Sequence, residues 1–139
     1  MKMKFWDKEE KQMMGPDLDT EQYRIISYDG FALIDDARED EDGWPYQMDV
    51  EFLRYTQVDE TGTGREIYEG DIVDYDDSAM MPALDQIYRI HQMRGVVEMS
   101  EGCWWITDDS KQQSVRLWSE TAEVRIVGNI YDDPDLLQA

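Results

Sequence analysis

Residues 95–107, GVVEMSEGCWWIT, decide the fold of this chain. Two apolar runs, Gly95–Met99 and Cys103–Thr107, flank the polar residues Ser100–Gly102. A glycine at the end of a three-residue connection is typical of a bulged hairpin loop. The stretch therefore predicts an antiparallel hairpin, and it places the chain among mainly β proteins.

Similar signals recur toward both ends of the chain. Short apolar or alternating runs, separated by turn residues such as Asp29-Gly30, predict two N-terminal hairpins and several further strands. Gly128 interrupts the last run as a β-bulge would. This density of short strands predicts a small antiparallel barrel or sandwich. The predicted strands are Met1–Trp6 with Gln12–Met14, Tyr23–Ser27 with Phe31–Ile34, Val50–Val58, Ile72–Tyr75, Val115–Trp118 and Val124–Tyr131.

Four segments do not fit a strand pattern. Asp35–Gly43 carries six acids in nine residues and is predicted to be a solvated loop. Thr61–Gly64 has the composition of a flexible connector and marks the clearest internal boundary. Ala79–Met93 shows helical spacing after Pro82, and Asp133 followed by Pro134 predicts a short terminal helix.

Composition limits the classes of function. The 139 residues include 33 acids and 13 bases, a net charge of -20, and 41% hydrophobic residues are enough for one folded domain over residues 1–139. The charge argues against direct binding of nucleic acid or of an anionic membrane. A lone cysteine excludes an intrachain disulfide and favours a reducing cytoplasm, and no apolar run is long enough to span a bilayer.

Three segments form a recognisable set: residues 1–14 (MKMKFWDKEEKQMM), 53–73 (LRYTQVDETGTGREIYEGDIV) and 124–137 (VRIVGNIYDDPDLL). Together they resemble the YopX family of small phage and prophage proteins. The most specific matches are Arg65–Val73 and Gly128–Tyr131 with the Pro134 that follows. Residues 15–52 and 76–92 match nothing in that family.

The resemblance implies a mainly β protein of a bacterial cytoplasm, encoded by a phage or prophage. It implies an SH3-like barrel over residues 65–137, preceded by a β-hairpin region over residues 1–60, with short helical segments. The family supplies no catalytic residue, and the signature is interpreted as structural, with Gly70 permitting a positive φ before a barrel strand, Gly128 at a bulge and Pro134 starting a helix. The signature residues are Glu66, Ile67, Tyr68, Glu69, Gly70, Asp71, Gly128, Asn129, Ile130, Tyr131 and Pro134.

Candidate catalytic and metal residues are few. Cys103 is the only cysteine and His91 the only histidine that could act as its base, and the apolar surroundings of Cys103 are those of an inert thiol. Two acid clusters are the best candidates for a divalent cation, but their spacing matches no calcium loop. We therefore expect no enzyme activity, cofactor or metal. The clusters are Asp74, Asp76 and Asp77, and Asp132, Asp133 and Asp135.

Adjacent residues of a strand point to opposite faces, so one of Trp104 and Trp105 is expected to face outward as a candidate interface. The predicted function is that of an accessory protein acting by binding, as a homo-oligomer or with a host or phage protein. Two alternatives stay open. One is an acidic mimic of DNA that occupies a host DNA-binding protein, and the other is a metal-dependent enzyme built on the acid clusters.

Overall fold

The structure, a computed structural model, describes residues 2–27, 30–77 and 90–137. It is mainly β and consists of curled antiparallel sheets. The chain divides into two compact units, a first unit of Met1–Arg54 and a second unit of Tyr55–Ala139. The strands are β1 (Met3–Asp7), β2 (Gln12–Met14), β3 (Tyr23–Ser27), β4 (Phe31–Glu39), β5 (Pro45–Gln47), β6 (Val50–Asp59), β7 (Glu66–Tyr68), β8 (Asp71–Asp76), β9 (Gln92–Ser100), β10 (Cys103–Asp108), β11 (Gln113–Arg116) and β12 (Glu123–Asn129), and Pro134–Leu137 forms a 3₁₀ helix.

The first unit confirms both predicted N-terminal hairpins. β1 pairs with β2 and, on its other side, with residues 50–54 of β6. β3, β4 and β5 form a separate three-stranded sheet. Burial alternates along β1, as its period of two predicts, and its buried side chains Met3 and Phe5 pack with Leu33 and Met48.

The second unit is organised around a five-stranded sheet in the order β11-β10-β9-β8-β12. Its core combines β-branched and aromatic side chains from several strands. The loop after β6 lies along the outer edge of β12, where the Thr61 amide donates to the Val124 carbonyl at 3.0 Å. This contact helps the sheet to curl. The core residues are Ile67, Val73, Tyr75, Met93, Val97, Ile106, Leu117 and Val124.

The decisive hairpin is confirmed, but its loop is shorter than predicted. Ser100 pairs with Cys103, so only Glu101 and Gly102 connect the strands. Both have positive φ, 52° and 79°. These values belong to a two-residue type I′ turn, whose twist matches that of the strands, and the predicted three-residue bulged loop is wrong.

The prediction of a solvated loop over Asp35–Gly43 is wrong for its first half, because β4 continues to Glu39. Asp35 is buried, and its carboxylate accepts hydrogen bonds from the Gln22 side-chain amide and the Ala37 amide. Asp36 forms a two-point ion pair with Arg24 of β3. Hydrogen-bond and ion-pair partners therefore stabilise acidic residues within β4, although composition alone predicts a solvated loop there.

Other predictions hold in part. The strand predicted at Val115–Trp118 is β11, shifted two residues toward the N-terminus, and the bulge predicted at Gly128 is confirmed by a register shift between Ile126 and Gly128. The short helix after Asp133 is confirmed as a 3₁₀ helix. The helix predicted within Ala79–Met93 lies mostly outside the described residues, and its last two residues begin β9 instead.

Within the described residues, no helix has the length and apolar character that spanning a membrane requires.

Candidate functional site

The two most specific sequence segments meet in the second unit. Asn129 of β12 pairs with Asp71 of β8, and the Ile130 amide donates to the Gly70 carbonyl at 3.0 Å. The Gly70 amide in turn donates to the Val97 carbonyl of β9 at 2.9 Å. Residues 66–71 and 128–134, far apart in sequence, thus form one hydrogen-bonded unit, which we call the signature turn.

Side chains of the signature turn accept hydrogen bonds from backbone amides of the same turn. The Asp71 carboxylate accepts the Tyr68 amide at 2.8 Å. The Asn129 side-chain oxygen accepts the amides of Tyr131 and Asp132 at 3.0 and 2.8 Å. Short side chains of this type commonly hold tight turns. These contacts are those of a structural element rather than of a reactive site.

The two glycines of the signature turn, Gly70 and Gly128, differ in backbone conformation and in what surrounds them. Gly70 has a φ of 87°, as predicted, and a Cβ built on it would lie 3.0 Å from Cε2 of Tyr131. Gly128, predicted at a bulge, does not have a positive φ. A Cβ there would lie 2.6 Å from Oδ2 of Asp133 and 2.7 Å from Cδ1 of Leu136, so a larger residue would require these two side chains to move.

Replacing Gly70 with alanine is expected to lower the free energy of unfolding by about 2 kcal/mol, since positive φ and the Tyr131 ring both oppose a Cβ. Gly62→Ala is a matched control, because Gly62 has a φ of 85° but no atom within 4 Å of the added Cβ. It should cost only about 1 kcal/mol. Urea unfolding measures both, and equal losses would show that the Tyr131 ring moves aside freely.

Cys103 and His91 do not form a catalytic dyad. His91 lies just before β9, whereas Cys103 pairs with Ser100 at the other end of that strand. A strand rises about 3.3 Å per residue, so the nine residues of β9 separate the two side chains by roughly 30 Å. Proton transfer between them would require hydrogen-bond distance.

Each carboxylate of the first acid cluster has a hydrogen-bond or ion-pair partner within the second unit. Asp74 forms a two-point ion pair with Arg94, with distances of 2.6 and 2.9 Å. Asp76 accepts from the Gln92 side chain at 3.3 Å, and buried Asp77 accepts from the Thr121 hydroxyl at 2.7 Å. In the part of the chain that the structure describes, no three His, Cys, Asp or Glu side chains are grouped to hold a metal ion.

Asp132 and Asp133 of the second cluster also hold backbone geometry. Asp132 accepts from the Asn129 side-chain amide at 3.0 Å, and Asp133 lies within 3.4 Å of the Asn129 amide nitrogen. Further carboxylates elsewhere cap turns in the same way. Asp7 accepts the amides of Glu9 and Glu10, Asp19 that of Glu21, Asp40 those of Asp42 and Trp44, and Asp108 those of Ser110 and Lys111.

An open cleft of about 490 Å³ lies over β9, β8 and β12 in the second unit. Across these strands Glu123 pairs with Asp76, and Arg125 with Asp74. The first pair joins two acids and the second an acid and a base, so acids outnumber bases in the lining of this cleft. The lining residues are Thr61, Gly62, Asp74, Tyr75, Asp76, Gln92, Met93, Glu123, Val124 and Arg125.

The tryptophans predicted as an interface are both partly buried. Trp104 packs against the core of the second unit. On the opposite face, Trp105 donates from its indole nitrogen to the Ser100 carbonyl at 3.0 Å, and the Arg116 guanidinium lies 5.7 Å from its ring centre. The more exposed tryptophans are Trp44 at 69% and Trp118 at 64%, which the sequence reasoning missed.

A cluster of exposed apolar side chains lies on β3 and β4 of the first unit. Ile25, Ile26 and Phe31 are 45%, 40% and 47% exposed. β3 is an edge strand, since only β4 pairs with it among the described residues. We call this surface the β3 edge. Ile25 and Phe31 lie on one face of this sheet and Ile26 on the other, because adjacent residues of a strand point to opposite faces.

Comparisons with known proteins agree with the sequence resemblance. The family model described as YopX protein matches residues 2–138. The crystal structure of protein yopX from Bacillus subtilis is similar, with a TM-score of 0.58, 17% identity, and 97% of this chain and 96% of that chain covered. Protein EF1440 from Enterococcus faecalis has a TM-score of 0.50, 18% identity and coverage of 98% and 96%. No curated protein matches the sequence.

Proposed function

The chain belongs to the YopX family, and from this premise we propose that it is a phage- or prophage-encoded accessory protein of the bacterial cytoplasm that acts by binding, not by catalysis. Its first binding event is association with a second copy of itself. The single observation that supports this proposal is the β3 edge, where a strand pairs on one side only among the described residues and carries large exposed apolar side chains.

The backbone of β3 has groups free to pair. The Asp36 amide donates to the Gln22 carbonyl at 2.7 Å, so Gln22, Arg24 and Ile26 direct their backbone groups toward β4. Ile25 and Ser27 therefore direct theirs outward. No residue within the described ranges hydrogen-bonds to these outward groups, and they are a template for another strand.

Antiparallel pairing of two β3 strands satisfies these groups. Centred on Ile25, it puts Ile25 opposite the same residue of the second copy and Arg24 opposite Ile26, so no like charges meet. Residues 23–27 contain no acid, which matters when each copy carries a charge of -20. This symmetric contact favours a dimer over an open chain.

The architecture of the second unit is part of the proposal. We propose that residues 65–137 form the SH3-like barrel that the family resemblance implies, with β9 at its centre. The five-stranded sheet and the contact of the loop after β6 with β12 support this assignment. In this proposal the barrel is a scaffold, and self-association occurs through the β3 edge of the first unit.

Self-association should strengthen with salt, because screening weakens the repulsion between two acidic copies while apolar contact persists. Light scattering from about 0.05 M to 1 M NaCl is expected to show a monomer converting to a dimer. Ile25→Lys should weaken association at least about tenfold, since it places like charges at the contact. Gln47→Lys on β5, the other edge strand of the same sheet, is the matched control and should leave association unchanged. A monomer at every salt concentration would refute the proposal.

A further inference from the structure

The second unit contains a short stretch whose charge is opposite to that of the whole protein. Residues 110–119, SKQQSVRLWS, carry Lys111 and Arg116 and no acid, whereas the chain has 33 acids in 139 residues. β11 lies within this stretch. The stretch is bounded by the acids Asp109 and Glu120. Within a Debye length its two cations attract negative groups on a partner, whereas screening by salt weakens the repulsion from more distant acids of the protein.

β11 is also an edge strand with outward backbone groups. It pairs only with β10 among the strands that the structure describes. The Leu117 amide donates to the Trp104 carbonyl of β10 at 3.0 Å, so by alternation Val115 also faces β10. Ser114 and Arg116 then direct their amide and carbonyl groups away from the sheet. Described residues make no hydrogen bond to these groups.

An open cleft of about 610 Å³ lies beside this edge. Val115, Ile90 and Tyr75 supply apolar surface to it, and Trp118, which is 64% exposed, lies at its margin. An exposed tryptophan next to a groove is the kind of side chain that anchors protein contacts. The edge therefore combines free backbone groups, positive charge and an apolar contact surface.

We propose that β11 binds an acidic, extended peptide segment of another protein, which adds as a sixth strand to the sheet. Because side chains of a strand alternate between the two faces of the sheet, the two faces of β11 determine which residues the peptide should carry. Arg116 shares a face with Trp105, and Val115 shares the other face with buried Ile106. A peptide with alternating acidic and apolar residues meets both faces, its carboxylates near Arg116 and its apolar side chains toward Val115 and the cleft.

A second copy pairing through the same strand fits less well, because two positive edges would meet. This inference rests on the proposal that the chain acts by binding, but it uses a different unit and strand from the β3 edge. Ile25→Lys should weaken self-association and leave peptide binding intact. The two proposals can therefore fail separately.

The test uses a fluorescent peptide of about eight residues that alternates glutamate and valine, titrated with the full chain at about 0.15 M NaCl, where salt screens the repulsion between the peptide and the acidic protein. Fluorescence anisotropy should show saturable binding. Arg116→Glu should weaken it about tenfold or more, whereas Arg65→Glu, the same charge change on an exposed loop residue of the same unit, should weaken it less than about threefold.

A modified peptide and one further protein variant distinguish strand addition from attraction between charges. A peptide with alternate backbone amides methylated keeps its charge but loses donors, and it should bind at least about tenfold more weakly. Ser114→Pro removes an outward donor of β11 without touching the pairing with β10, and it should also weaken binding. Undiminished binding of the methylated peptide, equal effects of Arg116→Glu and Arg65→Glu, or no binding of the original peptide would each overturn the proposal.

Discussion

Gly95→Ala is expected to lower the free energy of unfolding by about 3 kcal/mol, the largest loss among alanine replacements at glycines. Gly95 lies in β9, the middle strand of the five-stranded sheet, opposite Val73. A Cβ built there would lie 2.7 Å from the Thr107 carbonyl oxygen and 2.8 Å from its carbon. These are backbone atoms of a paired strand, so they cannot rotate away as a side chain would.

Urea unfolding of the purified variants measures this loss. Gly102→Ala in the same hairpin is the matched control, because Gly102 has a φ of 79° but no atom within 4 Å of an added Cβ. It should cost about 1 kcal/mol from backbone strain alone. If Gly95→Ala costs no more than Gly102→Ala, β10 can move away from β9 and the sheet is less rigidly packed than the distances indicate.

Glu60→Ala is expected to cost about 3 kcal/mol at pH 7, because Glu60 is a buried carboxylate that binds two segments together. One oxygen accepts the Ile126 amide of β12 at 2.6 Å, and the other accepts the Thr63 hydroxyl at 2.5 Å. Removing the side chain leaves the Ile126 amide without its acceptor and releases the loop from the edge of β12. Glu98→Ala, at an exposed position of β9, should cost less than about 0.5 kcal/mol.

The same carboxylate predicts a dependence on pH. The hydrogen bond from Thr63 lowers the pKa of Glu60 below its ordinary value of 4.5, and the Ile126 amide lowers it further against the effect of burial. Because the pKa is lower in the folded chain, the stabilisation is complete above about pH 5 and is lost as the pH falls through the folded value.

Glu60→Gln isolates this effect, since it keeps the size of the side chain and cannot titrate. The difference in free energy of unfolding between wild type and Glu60→Gln should be constant from pH 7 to about pH 5 and shrink below it. Urea unfolding at each pH measures the difference. A difference that stays constant below pH 5 would show that the charge of Glu60 does not stabilise the folded protein.

Much of the fold could be predicted from local pattern. The hairpin of β9 and β10 and the pairs β1–β2 and β3–β4 follow from alternation and turn residues, because these signals lie within a few residues of each other. The extension of β4 through Asp35 could not be predicted. It depends on Gln22 and Arg24, which neighbour these acids only after the sheet forms.

The candidate surfaces were harder to predict than the fold. Strand alternation correctly separates Trp104 from Trp105, but exposure of Trp118 depends on where the chain leaves β11. The outward direction of the Ser114 backbone depends on the register with β10, which composition does not encode. Gly128 illustrates the same limit, because its bulge is visible in the sequence whereas its close approach to Leu136 is a tertiary contact.

The carboxylates that cap turns restrict how the charge of this protein can change over evolution or by design. Asp7, Asp19, Asp40 and Asp108 each hold at least one backbone amide of a following residue. Exchanging them for lysine would alter the net charge and open a turn at the same time. A variant library that makes the protein neutral should therefore retain these four positions and draw its substitutions from exposed acids such as Glu98.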